Sequence, residues 1–331
     1  MFHVFGLSKK VSKYGKIPLK PGNVNVFLVK DKINFIAGNN DSINIEGITM
    51  DTKPNGGGKG IVVAFHGAPG SHEDFKYLVP YLEKLNYRFI VGNYPGFGIV
   101  QHNDKMTMSN DERYNYGEAI LKARKVSPKE KIVFIGHSRG CDLTLKFGAL
   151  KKEQTVGICI INGVGIRPHK GIKPNFPIVF LPYLWDNFPF LRSWFIQPFV
   201  GMLYRMLKIR TKSSLEAVNA IRTINSFDLP KQADYVEMFN KQDSKVLIAA
   251  AGHDWLIEKE IIIEFAQLFK DMKFIYNLEK SDVASNEVKN AYREGKKGLF
   301  LFFQNDGHFL AKYRADVIAT AIDEMFKSVE K

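Results

Sequence analysis

Cysteine is scarce in this chain: Cys141 and Cys159 are the only two among 331 residues, and both sit inside apolar segments. Secreted domains that rely on cross-links carry many more, so two buried, reduced thiols are expected here in place of a disulfide framework. No cluster of histidines or cysteines has the spacing of metal ligands, and no metal or organic cofactor is expected. No helix-turn-helix, zinc-finger or RNA-binding pattern occurs, so nucleic acid is not an expected partner. The apolar stretch Met1–Leu7 is followed by lysines instead of preceded by them and lacks a small-residue cleavage site. It does not read as an export signal, and a cytoplasmic protein is expected. Without such a signal the sequon Asn40-Asp41-Ser42 carries no weight. Long uncharged runs are missing as well. Even the most apolar segment, Phe176–Tyr204, is interrupted by Asp186 and Arg192 and falls short of the ~18–20 residues of a membrane span.

What is present reads as a globular protein. Hydrophobic residues make up 45% and charged residues 24%, which excludes a predominantly disordered chain. The length exceeds that of a usual single core, so one large domain, or one domain carrying an insertion, is expected. Basic residues outnumber acidic ones by a net +13. That excess suits an anionic surface, but it is scattered, with only a mild cluster at Lys9, Lys10, Lys13, Lys16 and Lys20.

The order of elements is informative. Two extended stretches, around Asn25–Val29 and Ser42–Thr49, flank Gly38-Asn39-Asn40-Asp41 and read as an antiparallel pair. The glycine-rich segment Pro54–Gly60 lacks the spacing of a phosphate-binding loop and precedes a strand, so it is a connector. Short β-branched runs then alternate with helical periodicity. Strands are expected at Ile61–Phe65, Tyr87–Val91, Lys131–Ile135 and Val156–Ile161, with helices at Phe75–Leu85, Asp111–Val126 and Asp142–Lys151. The alternation resumes with the strand Lys245–Ala250, the helix Lys259–Phe269, the strand Gly298–Phe303 and a final helix from Tyr313 to Val329. Such a pattern predicts an α/β fold with a mostly parallel central sheet and helices on both faces. Residues 166–230 interrupt it as an aromatic-rich insertion, leaving 1–165 and 231–331 as the core, with antiparallel strands within 1–50. The lysine-rich stretch Lys280–Lys297 reads as a polar surface excursion.

The chemistry is concentrated in loops after strands. The strand Lys131–Ile135 runs into Gly136-His137-Ser138-Arg139-Gly140, and a helix follows. A turn this tight leaves no room for side chains beside the serine, hence glycines at both flanks. It presents the hydroxyl at a helix N-terminus, where backbone N–H groups favour developing negative charge. The pentapeptide arises by chance in roughly one chain in ten of this length, so its meaning depends on the strand–turn–helix context. A second loop, Phe65-His66-Gly67-Ala68-Pro69-Gly70-Ser71, closes the first strand of the parallel series.

Together His66–Ser71, Asn93-Tyr94-Pro95-Gly96-Phe97-Gly98 and Gly136–Gly140 resemble the α/β-hydrolase superfamily, in particular its epoxide-hydrolase-like, esterase-like and aminopeptidase-like branch. Asn93 stands where that branch commonly has a charged residue, and Ile99-Val100 replaces its usual small polar continuation. The resemblance implies Ser138 as nucleophile and an oxyanion hole from the backbone N–H groups of Ala68 and Arg139, with His66 and Gly67 as supporting residues. Its chain order of nucleophile, acid and histidine points to Asp254, after the strand Lys245–Ala250, and to His308, after the last strand. Asp306 would have to fold back on its own loop, Asp142 is expected to face solvent, and Asn162 cannot carry charge. A serine at 138 also excludes the alkyl-ester chemistry of haloalkane dehalogenases and epoxide hydrolases, which needs a carboxylate there.

The insertion falls where this superfamily carries a cap over its nucleophile. Its aromatics, among them Phe176, Phe180, Tyr183, Trp185, Trp194 and Phe199, either pack the cap against the core or accept a lipid-like acyl chain. Arg205, Lys208, Arg210 and Lys212 follow directly, a juxtaposition suited to peripheral contact with an anionic membrane surface. The leading expectation is therefore a serine esterase, lipase or thioesterase acting on a small-molecule ester or lipid. The alternatives are a non-catalytic binding or scaffold protein of the same fold, and an aminopeptidase-like enzyme. An aminopeptidase would need a carboxylate from Asp186, Glu216 or Asp228 to hold a substrate amine.

Overall fold

Residues 21–329 are described by the computed structural model; Met1–Leu7 and the lysine cluster at 9–20 lie outside the described residues. The chain enters through β1 (Leu28–Ile36) and β2 (Ser42–Asp51), an antiparallel pair in which Ile33 faces Ile45. The pairing is as expected, but the expected first strand at Asn25–Val29 is a 3-10 turn, Val24–Phe27, and β1 starts three residues later. Lys30, Asp31 and Lys32 mask the strand in the sequence, whereas Ile33 and Phe35 supply its buried face.

The parallel series follows. It comprises β3 (Ile61–Phe65), α1 (Val79–Lys84), β4 (Arg88–Gly92), α2 (Asn110–Ala123), β5 (Ile132–His137), α3 (Cys141–Leu150) and β6 (Thr155–Ile161). Between β6 and its sheet neighbour β7 (Lys245–Ala251) lie α4 (Asn175–Asn187), α5 (Gln197–Met206), α6 (Ser214–Asn225) and α7 (Leu229–Asn240). The chain then forms α8 (Lys259–Gln267), β8 (Met272–Leu278), α9 (Ser281–Arg293), β9 (Gly298–Phe303), α10 (Leu310–Tyr313) and α11 (Ala315–Lys327). The strand order is β1-β2-β4-β3-β5-β6-β7-β9-β8; only the β1–β2 and β2–β4 pairs are antiparallel.

Alternation along each strand builds two cores. Val63, Phe134 and Ile160 face α2, α3, α7 and α8, while Val62, Val133 and Cys159 face α1, α9 and α11. Strands buried on both faces have no polar side to show, which is why they read as unbroken apolar runs. Cys141 and Cys159 are free, buried thiols, and burial pushes neither toward the reactive thiolate but well above the ordinary thiol range.

Two expectations are corrected. The stretch Lys280–Lys297 is not a loose surface excursion: it forms α9, whose Ala284, Val288 and Ala291 are fully buried, and β8 precedes it at the sheet edge. Asp142 does not face solvent either; its side chain is 3% exposed and paired with Arg139 and Arg113.

A buried ion pair fastens the antiparallel pair to the parallel sheet. Arg88 on β4 donates through Nε to Asp51 Oδ1 at 3.0 Å and through a terminal nitrogen to Asp51 Oδ2 at 2.6 Å. The same guanidinium donates to the Arg124 carbonyl, and Arg124 reaches Asp31 on β1 at 2.6 Å. Removing one partner strands the other charge in a dry site. Arg88→Leu is expected to cost about 3–5 kcal/mol in urea denaturation; a cost under about 1 kcal/mol would mean that water reaches the Asp51 carboxylate.

Candidate active site

Five parallel strands end on the same side of the sheet, and each contributes a residue at its C-terminal end: Gly67 after β3, Ser138 after β5, Asn162 after β6, Asp254 after β7 and His308 after β9. In open α/β sheets this is the edge at which ligands bind.

Ser138 sits in a left-handed conformation, φ +52°, between β5 and the short turn that opens α3. The glycines around it are steric requirements. A Cβ at Gly140 would run into the carbonyl of Phe65, and one at Gly136 would meet the Thr144 hydroxyl and lie 2.7 Å from the Gly140 carbonyl carbon. On the β3 side a Cβ at Gly67 would lie 3.3 Å from that of Ser138, so the two loops touch. Such strain persists only where packing over-determines it.

Asp254 and His308 meet. His308 Nδ1–H donates to Asp254 Oδ2 at 2.8 Å, which leaves Nε2 as the basic nitrogen. The two loops are joined by backbone hydrogen bonds that extend the β7–β9 ladder, Gly252 N–H to the Phe303 carbonyl and His253 N–H to the Asp306 carbonyl. Asp254 accepts from three further donors: the amides of Leu256 and Ile257 at 2.9 and 3.1 Å and Asn162 Nδ2 at 2.8 Å. Burial works to raise this carboxyl, but the hydrogen bond and charge of His308, with the Leu256 amide and Asn162, hold it below its ordinary value. Ser138 Oγ makes no hydrogen bond to His308 among the described residues; bonds of this kind are commonly long until substrate closes them.

The neighbouring groups are fixed and neutral. His66 accepts from the Tyr94 amide at Nε2 and donates from Nδ1 to the Gly67 carbonyl, and burial pushes it down to about 3. His137 donates from Nε2 to the His308 carbonyl, its ring 5.0 Å from that of His308, and burial lowers it to about 4. Asp306 is taken up by Arg314, so it does not compete for His308. The Arg139 side chain is fully buried, donating to the Thr223 carbonyl and Ser226 Oγ and pairing with Asp142.

Sequence reasoning missed three residues here. Asn162 donates to Asp254 instead of standing in its place, and His137 holds the loop that carries His308. Asp74 lies beneath the His66–Ser71 loop, where Ser71 and Asp74 form a reciprocal capping box and Asp74 Oδ2 stands 4.0 Å from His137 Nδ1. The Ser-x-x-Asp spacing was the available signal for Asp74.

This sheet order, with the serine turn after β5 and the acid–histidine pair after β7 and β9, is the α/β-hydrolase fold. Residues 25–327 match the family described as alpha/beta hydrolase of unknown function (DUF1057), and the chain belongs to that family. It is 26% identical to the uncharacterized protein F35H12.5 of Caenorhabditis elegans over 97% of this chain and 91% of that one. A proline iminopeptidase of Saccharolobus solfataricus is 34% identical over 33% of this chain and 34% of its own length. Among solved structures, an esterase from Thermogutta terrifontis superimposes with a TM-score of 0.59 at 16% identity, covering 92% of this chain and all of that one. At that identity the likeness speaks for the fold alone.

Burial pushes the Asp74 carboxyl up to about 7, against the Ser71 and Gly67 amides that favour its charged form. An unfolded aspartate titrates near 3.8. Between these values the native state holds the extra proton, so this group costs stability as pH rises from about 4 to 7. Asp74→Asn, which cannot ionise, is expected to gain about 1–2 kcal/mol over wild type at pH 8 and nothing at pH 4. Urea midpoints at the two pH values check this; a gain at pH 4 as large as at pH 8 would refute it.

Proposed function

We propose that the chain is a serine hydrolase that cleaves a carboxylic ester or thioester with an apolar acyl group, through an acyl-enzyme on Ser138. The observation that carries this reading is the 2.8 Å Asp254–His308 hydrogen bond at the sheet edge that presents Ser138 from a strained turn. His308 Nε2 takes the Ser138 proton as Oγ attacks the carbonyl carbon, and Asp254 fixes the tautomer and stabilises the imidazolium. The amides of Ala68 and Arg139 hold the oxyanion, each contributing about 3 kcal/mol to transition-state stability. The tetrahedral intermediate collapses with His308 protonating the leaving alcohol or thiol, and water, activated by the same nitrogen, then releases the acid. Residues 166–230 act as the cap over this site, and its aromatics favour an apolar acyl group.

The aminopeptidase alternative is disfavoured by the state of the cap's carboxylates. Asp186 is paired with Arg222. Glu216 accepts from the Gly98 and Lys212 amides, and Asp228 caps α7. Each already serves a structural partner, so holding a substrate amine would compete with that contact.

A fluorophosphonate probe tests the reading. Wild type is expected to be labelled, Ser138→Ala not at all, and His308→Ala about a thousandfold more slowly or worse. A folded wild type that resists even a small probe would favour a binding or scaffold role instead.

A further inference from the structure

A helix at a protein surface normally has one apolar stripe, and it faces the core. Helices α4 and α5 each have two. In α4, Leu181, Pro182 and Trp185 are buried, yet Phe176, Val179, Phe180 and Tyr183 form a second stripe at helical spacing, exposed by 40–69%. In the continuous helical stretch from the wide turn Arg192–Ile196 through α5, Ile196, Val200 and Tyr204 are buried. Phe195, Phe199, Met202 and Met206 line another side, Met206 70% exposed. Phe190 in the connection and Trp194 in the wide turn are both 69% exposed. Both helices pack on α6, so their second stripes point away from it and outward. Ring contacts link the exposed residues into two runs, Tyr183–Phe188–Phe190 and Trp194–Phe195–Phe199, and grouped exposed apolar side chains of this kind mark an interaction site.

The charge around it selects the partner. From Ile166 to Leu215 the only acid is Asp186, and Arg222 neutralises it. Lys170 and Lys173 lead into α4, and Arg205, Lys208, Arg210 and Lys212 leave α5, all six exposed. An apolar face with a basic rim is complementary to acyl chains beneath anionic headgroups. A second copy of the chain would bring the same positive charge against itself.

We propose that the outer face of α4 and α5 is a docking surface for an anionic lipid membrane. The segment that leads into α4 is tied to the candidate site: Gly171 N–H and His169 Nδ1–H both donate to the Leu256 carbonyl, two residues beyond Asp254. Docking is independent of turnover; that the docked enzyme takes its ester from the bilayer rests on the hydrolase reading above.

Vesicle sedimentation tests the proposal without requiring catalysis, and Ser138→Ala protein serves as well as wild type. Binding is expected to vesicles containing one-third phosphatidylserine, weakly to pure phosphatidylcholine, and to decline with salt. The triple variant Phe176→Ser, Phe190→Ser, Trp194→Ser is expected to lose at least tenfold in affinity, with circular dichroism and melting temperature unchanged because all three side chains are exposed. Arg205→Ser, Lys208→Ser, Arg210→Ser is expected to lose the preference for phosphatidylserine. The proposal is overturned if wild type binds neither vesicle, binds both equally, or binds as the triple variant does. It is equally overturned if light scattering shows a dimer that the triple variant abolishes, since the face would then belong to a second copy. Vesicle binding without probe labelling would leave the membrane surface standing and remove the hydrolase.

Discussion

The site depends on one steric constraint, the left-handed turn at Ser138. A β-strand buried on both faces must give way within three residues to a helix, and the only path runs against the Phe65 carbonyl on one side and Thr144 on the other. Glycine at 136 and 140 is the sole solution to that crowding, and the serine between them absorbs the unfavourable φ. Because the crowding partners belong to β3 and α3, the same contacts that force the turn also fix the His66–Ser71 loop beside it. Ser138 and the amides of Ala68 and Arg139 are thus positioned by a single packing event.

Around this turn burial separates the titratable groups into two kinds. His66 and His137 are held neutral, each with one nitrogen donating to a backbone carbonyl, and they act as rigid connectors. Asp254 is buried as well, but four donors converge on it and keep it ionised. A neutral framework around one charged acceptor is the environment in which a histidine gains most from becoming positive during reaction. His137 also carries the histidine loop directly, so the residue preceding the serine sets the height of His308 above it.

The core strands were legible in the sequence because strands buried on both faces must be short apolar runs. Ile61–Phe65 and Gly298–Phe303 match to the residue, and the others differ by one or two positions at an end. Strand β8 escaped because it lies at the edge, half-exposed and carrying Lys273 and Asn277. Helix α9 escaped because its buried face uses small residues, Ala284, Val288 and Ala291, among lysines and glutamates. For the site, the loops after strands narrowed the candidates to Ser138, Asp254 and His308, since chain order carries that information. The supporting contacts were not legible. Asn162 to Asp254 spans 92 residues and His137 to His308 spans 171, and no local pattern encodes a partner at such separation. Asp142 was misjudged in part for the same reason, since Arg113 lies on another helix, although Arg139 three residues before it was a local signal.

The segment between β6 and β7 is bonded to the residues around Ser138 and Asp254 at both of its ends. Its entry is bonded to the loop that follows Asp254, through His169 and Gly171 to the Leu256 carbonyl. Its exit is bonded to the residue after the serine, Arg139 reaching the Thr223 carbonyl and Ser226 and lying 4.1 Å from the Phe227 ring. Arg139 is desolvated enough for burial to lower its guanidinium to about 10, so breaking these contacts would leave a buried cation with fewer partners. The base of the segment is therefore tied to the sheet edge at both ends. Helices α4 and α5 join it through α6, against which both pack, and α4 also through the Trp185 ring beside His102. The ring contacts of the outer stripes run within the stripes, Phe176 on Phe180 and Phe195 on Phe199, so substitutions there act on the surface and leave the hydrogen bonds that hold Asp254 and His308 in place.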